Sequence, residues 1–219
     1  MKKFITIATF IFFLTIVGET KAEDIKEVLL NLQSANSKTR LSAVEELGKV
    51  KDEEAIHLLM DVADTKSEDW EVKIKAIRLL GEIGDPKAIN ILTKIFNDPF
   101  LNSECPAIKW NTAIALSNFK GHPKVVDTLV KGFEDINLII REAIIQSLGK
   151  IGDPSVVPFL ISTLKEKSFA IRMSAIKALK EIGDPQAIPF LQEIIEHNDD
   201  PHLKSEALSA LKHFSIQGY

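Results

Sequence analysis

The chain has 219 residues, 45% of them hydrophobic and 26% charged, a balance that suits one globular or repeat domain and excludes a largely disordered chain. Its formal net charge of -4 argues against a nucleic-acid surface, which carries a basic excess clustered on one face. Cys105 is the one cysteine, so neither an intramolecular disulfide nor a cysteine-rich zinc site can be built.

The first stretch has the order of a secretory signal peptide. Lys2 and Lys3 precede an apolar run from Phe4 to Val17, broken only by threonines, and Gly18 to Ala22 then turn polar and small. Thr20 and Ala22 are placed as the −3 and −1 residues of a cleavage site before Glu23. The run of 14 residues is short for a membrane span, which needs about 20; an uncleaved anchor is the alternative reading. No cysteine follows the run, which excludes a bacterial lipoprotein anchor. The expected division is therefore a signal peptide over 1–22 and a repeat domain over 23–219, with a periplasmic or secreted location and no stable membrane span after cleavage. Cleavage takes away Lys2, Lys3, Lys21 and Glu19, leaving 24 basic and 30 acidic residues, a net of -6.

Asp24 to Gln33 predicts a first helix, with Ile25, Val28, Leu29 and Leu32 along one side. Beyond it the chain repeats. A basic residue recurs at Arg40, Lys73, Lys109, Arg141, Arg172 and Lys204, at spacings of 33, 36, 32, 31 and 32 residues. Three residues after it stand Ala43, Ala76, Thr112, Ile144, Ala175 and Ala207. Seven after it stand Leu47, Leu80, Leu116, Leu148, Leu179 and Leu211, and ten after it Val50, Ile83, Phe119, Ile151, Ile182 and Phe214. Steps of four, four and three make the stripe of an amphipathic helix, the second of each pair.

Between pairs comes a punctuation mark, clearest at Gly152-Asp153-Pro154: glycine ends one helix in the left-handed conformation, aspartate caps the next, and proline suits its first position. The same four residues, Ile-Gly-Asp-Pro, stand at 83–86 and 182–185. The first turn departs with Lys51, Asp52 and Glu53, and the third with Lys120, Gly121, His122 and Pro123, so both are expected to be looser. First helices follow the turns, as in Ala88, Ile89, Leu92, Ile95 and Phe96. The third unit is enlarged between its helices by a loop from Asn97 to Ala107. Helix pairs that cannot bury an apolar face alone stack into a solenoid, so the fold expected is all-α, of about six helix pairs.

Ile140-Arg141, Leu148-Gly149 and Ile151-Gly152-Asp153-Pro154, with the two further copies of the turn, resemble the HEAT-like repeats first named for phycobilisome lyases. The resemblance covers about residues 24–214 and implies a right-handed α-α superhelix whose second helices line the concave face. It also implies that the recurring basic residue pairs with carboxylates in a ladder between units; binding of an acidic partner is the alternative. Such repeats serve scaffolds, adaptors and a few enzymes alike, so the resemblance speaks for fold and not for activity.

The constellations of catalysis are missing. His57, His122, His197, His202 and His213 include no pair at helical spacing and none is followed by Glu, unlike the iron-holding His-Glu pairs of the HEAT-like deoxyhypusine hydroxylases. Neither a phosphate-binding loop nor a nucleophile elbow occurs. Asp52, Asp85, Asp153 and Asp184 sit at helix starts, where capping accounts for them. No cofactor or metal is expected. Cys105, before Pro106 at a helix start, is either an inert thiol or a possible reactive one.

What distinguishes the units is the residue after the basic one: Leu41, Ile74, Trp110, Glu142, Met173 and Ser205. Four of the six are large and apolar. Trp110 and Ile114 are four apart and share one face, with Asn111 and Asn118 beside them; either neighbouring units bury this series or it is a binding surface. The functional reading is a non-enzymatic scaffold gripping a protein or peptide on its concave face through Trp110, Asn111, Ile114, Asn118, Ile74 and Met173. The alternative is a lyase-type chromophore-handling factor or another enzyme built on such repeats.

Overall fold

A computed structural model describes residues 26–216, and every regular element among them is helical. The expected leader and cleavage site, and Asp24 and Ile25 of the expected first helix, lie outside the described residues. Six pairs follow in order. They are α1 (26–32) with α2 (Ser37–Val50), α3 (Glu53–Asp64) with α4 (Trp70–Ile83), α5 (Ile89–Asn97) with α7 (Pro106–Leu116) across an added α6 (Pro99–Glu104), α8 (Pro123–Gly132) with α9 (Leu138–Ile151), α10 (Val157–Thr163) with α11 (Phe169–Ile182), and α12 (Ile188–His197) with α13 (Pro201–Ile216).

The repeated stripe builds one continuous core. All six residues at its first turn, Ala43, Ala76, Thr112, Ile144, Ala175 and Ala207, are buried, as are Leu47, Leu80, Leu116, Leu148 and Leu179 one turn on. Each such leucine contributes about 1.5–3 kcal/mol by leaving water. Val50 departs from the pattern: it ends the stripe of α2 in solvent, whereas its counterparts Phe119, Ile151 and Phe214 are buried.

The second helices pack in series, α2 on α4 on α7 on α9 on α11 on α13, and the first helices touch one another far less. That difference in spacing bends the row so that the second helices form its inner layer. Gly149 shows how close the approach is: a Cβ there would lie 2.8 Å from the Ala178 Cα, nearer than any side chain permits.

Four of the five turns between pairs share one geometry. Gly152 sits at φ 75° and its N–H donates to the Leu148 carbonyl at 3.2 Å, while the Asp153 carboxylate accepts from the Ser155 N–H at 2.9 Å. Asp52, Asp85 and Asp184 cap in the same way. The first turn is not looser: Lys51 takes the left-handed conformation itself, at φ 55°, and Asp52 accepts from the Ala55 N–H at 2.9 Å. The third turn is the looser one, as expected: α7 ends at Ser117 in the right-handed conformation, the left-handed Gly121 follows four residues later at φ 74°, and the His122 side chain caps nothing.

The enlarged loop is the other correction. Asp98 accepts from the N–H groups of Phe100 and Leu101 at 2.9 and 3.1 Å and starts α6, a short helix that buries Leu101 and leaves Phe100 exposed.

Candidate functional site

The recurring basic residue is structural at five of its six positions, and does so by two devices. Across units, Arg40 pairs with Glu68 at 2.7 Å, Lys109 with Asp135 at 2.7 Å and Arg141 with Glu166 at 2.7 Å; each carboxylate lies in the inter-helix turn of the following unit. Within units, Arg40 donates to the Ser34 and Ala35 carbonyls and Arg172 to those of Glu166 and Lys167. The Arg141 guanidinium also covers the Phe133 ring at 4.1 Å, and the Lys109 ammonium stands 5.0 Å from the Phe96 ring centre. Burial raises the Asp135 carboxyl, but the Lys109 ammonium and the Asn137 N–H outweigh it and hold that group below its ordinary range. Lys73 is the odd one: it is fully buried, and its ammonium donates to the Ala63 and Thr65 carbonyls at 2.7 Å each.

With those cations occupied, the inner layer presents a groove of about 580 Å³ across α7, α9 and α11. Its apolar part comes from Ile114, Phe169 and Met173, and Glu142, Gln146, Lys150, Lys177 and Glu181 surround it. Much of the polar lining is already cross-linked. Lys150 donates to the Asn118 side-chain oxygen at 2.8 Å, and Glu142 accepts from Ser174 at 3.2 Å and from Gln146 at 3.2 Å. The Lys150–Asn118 and Ser174–Glu142 bonds cross between units and pre-set the groove's width, so a ligand need not order it.

The residues singled out in the sequence separate. Ile114 and Met173 share the groove. Trp110, four residues before Ile114, lines a different hollow of about 270 Å³ with Pro106, Ala107, Asn137, Ile139 and Ile140. Asn118 reaches the groove only through Lys150, and the Asn111 amide is taken by the Ala107 carbonyl of its own helix at 2.8 Å. Ile74 packs against the core, half-buried, and lines neither hollow. Cys105 is half-buried against the same core.

Two sets of residues escaped the sequence reading. Phe169, Gln146 and Lys177 complete the groove but lie off the position after the basic residue. Ile136, Leu138 and Ile139 form an exposed apolar edge at the start of α9. The signal for the second set was present: five, three and two residues before the basic one, the other units carry at least one polar residue or a small Ala or Pro, as in Glu68, Trp70 and Glu71 or Glu104, Pro106 and Ala107.

Among the described residues, no group of three or more His, Cys, Asp or Glu could hold a metal ion, and no helix is long and apolar enough to cross a membrane.

Several solved structures share this architecture. A designed armadillo repeat protein in complex with the peptide (KR)4 is 16% identical, with 86% of this chain and 98% of that one covered at a TM-score of 0.59. The complex of CpcE and CpcF of phycocyanin lyase from Nostoc sp. PCC7120 is 23% identical over 85% of this chain and 75% of that one, at a TM-score of 0.57. An engineered protein is 19% identical over 90% and 98%, at a TM-score of 0.56. At these identities the likeness is one of fold. No curated protein sequence matches the chain. The family model for HEAT repeats matches residues 25–101, 99–165 and 134–212, nearly the whole of the helical array, and the chain belongs to the HEAT-repeat family.

Proposed function

We propose that this chain is an exported, non-enzymatic HEAT-repeat module that binds an extended peptide or a protein segment across the inner face of its third to fifth units. The observation that carries the reading is the groove across α7, α9 and α11, where Ile114, Phe169 and Met173 lie exposed enough to receive apolar side chains between flanking charges. A central apolar anchor site ringed by polar groups is the arrangement that concentrates binding energy. A designed armadillo repeat protein alike in fold is in complex with the peptide (KR)4, which supports a peptide ligand. Export rests on the leader, and the exported protein should begin at Glu23 when its N-terminus is sequenced; an intact Met1 or Lys2 there would refute cleavage.

Selection of displayed random peptides on the protein tests the groove. Peptides recovered should carry large apolar anchors, and an Ile114→Ala/Met173→Ala variant with an unchanged helical circular dichroism spectrum should bind them about tenfold more weakly or worse. Equal affinity in the variant would refute the groove as the site.

A further inference from the structure

The rows of the repeat show which side of each second helix meets which neighbour. Gly48, Gly81 and Gly149, eight residues after the basic one, leave room for the next unit: a Cβ on them would run into Leu79, Ala115 and Ala178, which stand six after the basic residue there. Four after it, one turn earlier on the same side, come Val44, Ile77, Ala113, Ile145 and Ile176, each wholly buried. The fourth and eighth positions therefore form the forward side of a second helix. The sixth belongs to its backward side.

The last unit breaks this pattern. Leu208 holds the fourth position and is 47% exposed, and Lys212 holds the eighth and is exposed. Leu211, whose five counterparts are buried, is only partly so. α13 packs on α11 and α12, which leaves its forward side open. Solenoids end on units with a polar outer face, whereas a leucine at this position is what the interior junctions carry. At the other end, the backward side of α2 is open too: Glu46 is exposed at the sixth position, where Ala115, Ser147, Ala178 and Ala210 are buried.

These two open sides match through a contact that the molecule already makes once. Lys180, at the eighth position of the fifth unit, donates to the Ser209 hydroxyl at 2.8 Å and stands 3.6 Å from Glu206, the fifth and second positions of the sixth unit. Carried one unit further, the same contact brings Lys212 to Glu45 and Ser42 of a second chain, with Glu46 beside them. Glu45 and Glu46 already pair with Lys75 and Lys49, but those pairs are open to solvent, and each carboxylate can accept again. The lysine sets the register, and the burial of Leu208 supplies the apolar contact.

We propose that the chain assembles head to tail, the forward side of α13 in one copy stacking on the backward side of α2 in the next and continuing the series of five interior junctions. Such a contact is heterologous and does not close on itself, so it builds open rows that lengthen with concentration.

Sedimentation equilibrium of the protein recovered from an exporting host tests this. The weight-average mass should rise with concentration past that of a dimer. Leu208→Asp and Glu45→Lys/Glu46→Lys, all at exposed positions, each disable one end. With an unchanged helical circular dichroism spectrum, each variant alone should stay monomeric where the wild type associates, a loss of about tenfold or more in affinity. An equimolar mixture of the two retains one working end of each kind, and it should form a dimer and nothing longer. Wild type that stays monomeric at every concentration, a Leu208→Asp variant that still assembles, or a mixture that stays monomeric or grows past a dimer would each overturn the proposal. A wild-type mass that levels off at a dimer would overturn it in favour of a two-fold contact.

Discussion

At the scale of single residues, Lys73 shows what a repeated position can become when its surroundings change. Arg40, Lys109 and Arg141 each meet a carboxylate from the following unit, but Lys73 is withdrawn entirely from water and spends its ammonium on two carbonyls at the end of α3. Burial pushes its pKa below the ordinary 10.5, and Asp64, Glu68 and Asp98 oppose that shift only in part. The sign follows directly: between the folded value and 10.5 the unfolded chain holds the proton that the folded chain has lost, so stability rises with pH in that window. Relative to Lys73→Met, the wild type should therefore gain stability as pH approaches 10.5, at no more than about 1.4 kcal/mol per pH unit. Urea unfolding of both proteins at stepped alkaline pH reads the difference, and a difference that does not change with pH would refute the burial argument. The absolute stability of Lys73→Met at neutral pH is a poorer readout, because removing a buried charge and orphaning two carbonyls act in opposite directions.

At the scale of elements, the repeat is defined by its turn rather than by its helices. Helix lengths vary between units and one unit carries an extra helix, yet residues 51, 84, 152 and 183 each end a helix in the left-handed conformation. Three of them are glycines; Lys51 reaches the same geometry against the steric cost of its Cβ. Lys51→Gly should accordingly stabilise the protein by about 0.5–1 kcal/mol, the relief of strain being partly offset by the freer unfolded chain. A higher urea midpoint with an unchanged slope would bear this out, and a lower midpoint would show that Lys51 is held by something other than the turn. The turn at Lys51-Asp52 is held as firmly as the glycine turns because the cap bond that Asp52 accepts and the packing of Ala55 and Leu59 behind it are worth more than the strain at one residue.

At the scale of the whole molecule, the groove is assembled by the stacking of three neighbouring units. In a solenoid each unit touches only its neighbours, so local changes propagate little beyond the adjoining repeats. Val50→Lys, at an exposed position two units before the groove, should thus leave the affinity of groove-selected peptides unchanged, and a weaker affinity in that variant would refute the local response.

Much of this was settled by the sequence alone, for a physical reason: helix periodicity, left-handed glycines, aspartate caps and N-terminal prolines act over a few residues and repeat with the unit. Six helix pairs, their second-helix stripe and the cap at Asp153 are all local consequences of that kind. What the tertiary structure decided is everything that depends on the distance between units. It put Trp110 and Ile114, one helical turn apart, into different hollows; it joined Ile114 to Met173 and Phe169 across three helices; it tied Asn118 to Lys150 and buried Lys73. None of these follows from spacing along the chain, because solvent exposure in a stacked array is set by the neighbouring repeat.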